Sequence, residues 1–202
     1  AQHSQSLHAW LCHVPGLKVA LPSSAYEAEG LLKSAIRDNN PVVIIEDKLM
    51  YQDKAWVPEE DYLIPLGVAN VLRKGSDITL IATSSMVQVA EAAAEQLAKD
   101  GISAEVIDPR TLVPLDEDTL LESVKKTGRA IVIDEGHQSY GVTAEIAARL
   151  AERAFYYLDA PVQRMGAMDV PIPFSPALED VTVPTVNAVY ERATELVRDK
   201  FI

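Results

Sequence analysis

Asp77-Ile78-Thr79-Leu80-Ile81-Ala82, Ala104-Glu105-Val106-Ile107-Asp108 and Ala130-Ile131-Val132-Ile133-Asp134 are three runs of one kind. Each is short, nearly all apolar and rich in β-branched residues, as suits a strand buried on both faces. The stretches between them have helical spacing. One, over 87–100, is rich in Ala and closed by Gly101; the other covers 116–126. Strands and helices that alternate with short links predict an open, mostly parallel α/β sheet with helices on both faces. Ligands of such sheets gather beyond the carboxyl ends of the strands.

The pattern continues in both directions. Downstream, a helix is expected over 142–154, a fourth strand over 161–165 and a final amphipathic helix over 185–200. Upstream, residues 16–22 read as a short strand ending at Pro22. Ser23 or Ser24 can cap the helix that follows, with Glu27 in its first turn. Ala28, Leu31, Leu32, Ala35 and Ile36 set the apolar face of that helix, over 26–37. Asp38-Asn39-Asn40-Pro41 breaks it, and 41–46 is another buried strand. Residues 47–76 change character, with Glu59, Glu60 and Asp61 in a row and a Pro65/Gly67 pair. They read as a surface connection with a domain boundary near Leu66. The chain thus divides into residues 1–66 and 67–202.

Composition bounds the function. The chain has 202 residues, 48% hydrophobic and 24% charged, enough to bury a core without staples. Its 18 Lys and Arg against 30 Asp and Glu give a formal net charge of −12. That balance argues against a general nucleic-acid or anionic-membrane binder, since both need a basic face. A single cysteine, Cys12, excludes an internal disulfide framework and a Cys-only zinc site. A reducing, cytoplasmic compartment is expected. No apolar run approaches the length of a membrane span, and no signal-peptide pattern opens the chain.

Several residues could carry chemistry. Nothing local assigns His3 a role. His8 and His13 follow at steps of five, which does not stack them on one helix face, so with Cys12 they make a poor metal constellation. Asp38-Asn39-Asn40-Pro41 is sufficient as a helix-to-strand turn. It could also hold a monovalent cation on helix-end carbonyls from Ala35 and Ile36. Arg110, in Asp108-Pro109-Arg110-Thr111, lies at a strand's carboxyl end and either serves a ligand or pairs with a carboxylate to fix the loop. Asp134 and His137 could form an acid/base pair, though their spacing gives that no support. Gly136 and Gly141 suggest a loop that approaches something closely. GxGxxG, P-loop and GxSxG motifs are all missing.

Taken together, the motifs resemble the β subunit of the thiamine-diphosphate-dependent E1 component of 2-oxo acid dehydrogenase complexes, of the pyruvate, branched-chain 2-oxo acid or acetoin type. They are Ala1-Gln2-His3-Ser4-Gln5-Ser6, Pro15-Gly16-Leu17-Lys18-Val19, Leu31 through Val43, Ile64-Pro65-Leu66-Gly67, Ile107-Asp108-Pro109-Arg110-Thr111-Leu112, Leu158-Asp159-Ala160-Pro161 and Val170-Pro171-Ile172-Pro173-Phe174. They stand in family order and cover nearly the whole chain. The resemblance implies that residues 1–66 are the last third of a pyrimidine-binding domain and 67–202 a complete transketolase C-terminal-type domain. The preceding part of such a subunit would hold the Glu that activates the aminopyrimidine, so the chain alone is expected to be inactive.

The resemblance also implies roles. His3 matches the active-site His of the Gln-His-Ser motif, near the thiazolium and linked to acyl transfer to the lipoyl group. Ala35, Ile36, Asp38 and Asn40 match a potassium loop built on backbone carbonyls. Asp159 and the carboxylate of Ile202 match contacts to the peripheral subunit-binding domain of E2. Thiamine diphosphate with Mg would sit at the interface with the E1 α subunit, in an α2β2 assembly with a second β subunit. The lipoyl domain of E2 is the expected acyl acceptor. His137 falls in a variable stretch of the family and receives no role. Two alternatives remain: a non-catalytic assembly and E2-docking module, and a transketolase-like carboligase.

Overall fold

A computed structural model describes residues 3–198. Its centre is a five-stranded sheet. β3 (Asn70–Arg73), β4 (Ile78–Ala82), β5 (Ala104–Asp108), β7 (Ala130–His137) and β8 (Gln163–Ala167) lie in the order β3-β5-β4-β7-β8. β5 and β7 flank β4 in parallel and β8 adds to β7 in parallel, while β3 runs antiparallel along the outside of β5. The mostly parallel sheet read from the sequence is borne out.

The three inner strands β4, β5 and β7 are nearly continuous apolar runs because both faces are covered. Along β4, Ile78, Leu80 and Ala82 point into one core, and Ile81 into the other. The first core is closed by α3 (Met86–Lys99) and α7 (Val186–Arg198), through Ala90, Ala94, Leu97, Val189 and Ala193. The second is closed by α4 (Glu117–Thr127) and α5 (Val142–Ala154), through Leu120, Val124, Ile146 and Leu150. Gly101 follows α3 at φ 78, and the Ile102 N–H returns to the Leu97 carbonyl, as a glycine-terminated helix requires. The four-residue α6 (Pro176–Glu179) precedes α7.

A second, three-stranded sheet has the order β2-β1-β6. β1 (Lys18–Ala20) and β2 (Val42–Ile44) are parallel and joined by α2 (Ala25–Ile36). Ser24 caps α2 by accepting the Glu27 N–H. β6 (Thr111–Val113) is antiparallel to β1 and comes from beyond residue 66, so the later part of the chain completes the earlier sheet. A short helix, α1 (His8–Cys12), runs between the two sheets.

Four expectations need correction. The strand over 41–46 is no buried one, because β2 lies at a sheet edge with all three residues half-buried. The connection over 47–76 contains a 3-10 turn (Lys48–Gln52) and the edge strand β3. The stretch after Asp134 is no loop, because β7 continues to His137 across a register irregularity. The segment after Arg110 pairs as β6, once Arg110 has turned the chain at φ 59.

Candidate functional site

His3, Ser4, Gln5 and Ser6 form one wall of a cavity of about 530 Å³. The segment after β2 supplies Glu46, Asp47 and Lys48, the end of β7 supplies Glu135, and Ile172 and Glu179 close the far side. The cavity lies beyond the carboxyl ends of β2 and β7, where α/β sheets place ligands. His3 is exposed and has φ 65. Lys48 is the one ammonium among the described lining residues, against the carboxyl groups of Glu46, Asp47, Glu135 and Glu179. Burial raises the Glu135 carboxyl above its usual range, helped by the charges of Asp47 and Asp134. Hydroxyls of Ser6 and Ser85 bond to it and oppose that rise. Such a wall attracts an organic cation and repels a phosphate.

The five-stranded sheet carries two buried polar groups. At its switch between β4 and β7, His8 Nε2 lies 2.9 Å from Asp134 Oδ2, and both side chains are almost wholly buried. Thr83 Oγ1 donates to the other Asp134 oxygen, and the Gly136 N–H donates to Oδ2 at 3.0 Å. Burial opposes ionisation of Asp134, but the bond and charge of His8 outweigh it and hold the carboxyl low. Asp134 therefore does not pair with His137, whose Nδ1 lies 2.8 Å from the Met168 carbonyl. Sequence reading missed this use of His8, since 126 positions separate it from Asp134.

The other group joins α2 to the end of β5. Arg110 Nε donates to Glu27 Oε1 at 2.8 Å, which selects the carboxylate-pairing alternative for Arg110. Ser23 Oγ lies 2.5 Å from both Glu27 Oε2 and Asp108 Oδ2. A hydroxyl has one proton to donate, so a second proton must lie on one carboxyl group. Burial and then the Glu27 charge push Asp108 well above the usual range. Glu27 is held below its usual value, because its bonds from Ser23 and Arg110 outweigh the effect of burial. Asp108 therefore carries the proton and donates to Ser23, which donates to Glu27.

The remaining sequence candidates lie apart from the cavity. At the end of α2, Asp38 Oδ2 meets Lys18 Nζ at 2.5 Å, and Oδ1 accepts the Asn40 N–H at 2.8 Å. Those contacts and the nearby Lys18 hold the Asp38 carboxyl down at about 2. The Ala35 carbonyl accepts the Asp38 N–H, and Ile36 is exposed. Asp159 is half-exposed, pairs with Arg129 at 3.1 Å and lies against Gly128. Ile202 lies outside the described residues.

The two α/β units fit a transketolase-type architecture, and the chain belongs to the transketolase C-terminal domain family, whose model matches residues 67–189. Residues 1–54 match the transketolase pyrimidine binding domain. The acetoin:2,6-dichlorophenolindophenol oxidoreductase subunit beta of Bacillus subtilis is 48% identical over 97% of this chain and 57% of its own length. The pyruvate dehydrogenase E1 component subunit beta of Staphylococcus epidermidis is 49% identical over 95% of this chain and 59% of its own. The mitochondrial subunit beta-1 of Arabidopsis thaliana is 47% identical over 94% and 53%. The chain thus spans somewhat over half the length of these relatives, which bear out the resemblance read from its motifs. A split-gene transketolase, solved as an inactive β4 tetramer, matches 95% of this chain and 61% of its own at 26% identity, with a TM-score of 0.76.

Proposed function

We propose that this chain belongs to the β subunit of an E1 component of a 2-oxo acid or acetoin dehydrogenase complex. The reaction is decarboxylation of a 2-oxo acid, or cleavage of acetoin, followed by reductive acylation of lipoyl-E2. The observation that carries this reading is the imidazole of His3 on the wall of a carboxylate-rich cavity. Thiamine diphosphate supplies the carbanion chemistry when bound. The Glu46, Asp47 and Glu135 side of the cavity suits its cationic ring. The diphosphate and Mg need a different wall, which the E1 α subunit supplies. His3 then serves as a positionable acid toward the substrate carboxylate and the dihydrolipoyl thiol. A sugar-phosphate carboligase would need basic phosphate contacts, and among its described lining residues this cavity offers only the Lys48 ammonium.

The supporting parts follow the same reading. Residues 1–66 end the pyrimidine-binding domain and 67–202 form the C-terminal domain. Ala35, Ile36, Asp38 and Asn40 hold potassium, with backbone carbonyls as the ligands, since Lys18 and Asn40 already engage the Asp38 carboxylate. Asp159 and Ile202 dock the peripheral subunit-binding domain of E2, and a second β subunit completes α2β2. The setting is the cytoplasm; among the described residues no helix is long and apolar enough to cross a membrane. The test is dye-coupled turnover by the complete β subunit carrying this chain, assembled with its α partner and thiamine diphosphate. Reduction of dichlorophenolindophenol with pyruvate, a branched-chain 2-oxo acid or acetoin is expected. Absence of turnover with all three would sink the reading.

A further inference from the structure

We infer that His8 is a positioning residue, pinning the His3-bearing segment across the crevice between the carboxyl ends of β4 and β7. The strand order makes this crevice the topological switch point. From β4 the chain crosses through α3 to β5 on one side, while β7 takes the other side after α4. In many sheets of this kind a ligand fills that crevice. Here the imidazole of His8 fills it, at 1% exposure.

The crevice is built around that ring. Asp134 is fully buried and receives His8 Nε2, Thr83 Oγ1 and the Gly136 N–H. A Cβ on Gly136 would lie 2.6 Å from Asp134 Oδ2 and 3.4 Å from the His8 ring, so a side chain there would break into the pair. Removing His8 would leave a buried carboxylate without its counter-charge, a costly state. Two residues before His8, Ser6 adds a second tie to β7 through Glu135. His3 and His8 are five positions apart, and an extended chain of that length spans about 17 Å at most. Fixing His8, with Ser6 tied to Glu135, therefore anchors the C-terminal side of the segment that carries His3 along the cavity wall.

The pin responds to protons. Asp134 and Glu135 of β7 are the charged groups facing His8; α1 adds the Cys12 thiol, and the turn after β4 adds the neutral Thr83. Burial, together with the Asp134 charge, pushes the Cys12 thiol up to about 11, so it adds no charge near neutrality. Burial also disfavours charge on His8, but the bond and charge of Asp134 outweigh it and raise its pKa. The charged pin thus contributes fully below the ordinary histidine value and is lost as pH rises through the raised one. His8 Nδ1 is buried without a partner, so the ring is held from one side only.

What His3 does rests on the proposed function; that it is held by His8 does not. The test compares wild type, His8→Gln and His8→Leu in two measurements. The first is ¹⁵N relaxation of the His3 imidazole in the assembled enzyme. The second is the pH profile of lipoyl acylation by the assembled enzyme. The pin predicts a more mobile His3 ring in His8→Leu and a kcat lowered roughly tenfold or more, with KM for the small substrate unchanged. His8→Gln keeps a neutral donor to Asp134 but no charge, so it should give a ring order and kcat between those of wild type and His8→Leu, with no alkaline limb. A His3 ring equally ordered in all three, with the alkaline limb intact in His8→Gln, would overturn the inference. If wild type itself acylates nothing, the proposed function fails, and the relaxation measurement still decides the pin.

Discussion

At Ser23 one hydroxyl stands between two buried carboxyl groups, and the proton that Asp108 retains makes the arrangement possible. The sign of its pH dependence follows from the two shifts. Asp108 is raised, so its contribution is present at low pH and is lost as pH rises through the folded value. Glu27 is lowered, so its contribution is present above the ordinary glutamate value and is lost as pH falls through the folded one. The trio is therefore weakest at both extremes. Asp108→Asn keeps a neutral donor to Ser23, so denaturant titrations should find its stability less eroded than that of wild type as pH rises above the ordinary aspartate range. Asp108→Ala should cost roughly 1–3 kcal/mol at pH 7, because Ser23 and Glu27 lose a buried partner. Erosion over that rise as strong in Asp108→Asn as in wild type would contradict this proton assignment. At this scale the sequence was legible only locally. The Ser24 cap with Glu27 in the first turn follows from neighbouring residues, as does the Asp38–Asn40 turn. The Ser23–Asp108 contact spans 85 positions, and no local periodicity encodes such a meeting.

Among the elements, β4, β5 and β7 were readable because burial on both faces leaves an unbroken apolar run. The two strands that reading missed lack that signal. β3 is a half-exposed edge strand, with Val71 and Leu72 both open to solvent, and β6 is only three residues long. Their pairing is imposed by the sheets they join. Helix ends were easier, because glycine chemistry marks them. Gly128 ends α4 at φ 70, and a Cβ there would lie 2.5 Å from Asp159 Oδ2. Gly128→Ala should therefore lower stability by about 1–2 kcal/mol through the left-handed backbone alone. It should also push the Asp159 carboxylate away from Arg129. Thermal melting checks the first effect. An unchanged melting temperature would mean that the α4 terminus tolerates a side chain.

Over the whole molecule, the two sheets are interlocked by β6, by the Arg110–Glu27 pair and by His8 on Asp134, so the cavity holding His3 is a joint product of both. The order of elements and the family motifs made the architecture legible. The locking contacts stayed hidden because they bring together residues from opposite ends of the chain. The proposed docking role of Asp159 belongs to this scale. Its carboxylate is half-exposed beside Arg129, available to a basic partner. Asp159→Ala should weaken binding of the E2 peripheral subunit-binding domain and flatten its salt dependence, measured by titration calorimetry at two ionic strengths. An Asp159→Ala affinity equal to that of wild type at both ionic strengths would remove the role. The central claim is that His3 performs acyl transfer in a thiamine-dependent enzyme. Its most direct test is reductive acylation of the lipoyl domain by the assembled enzyme with thiamine diphosphate, wild type against His3→Ala. The account predicts acylation that requires the cofactor and falls by roughly a hundredfold or more in the variant. Acylation by His3→Ala at the wild-type rate would contradict it.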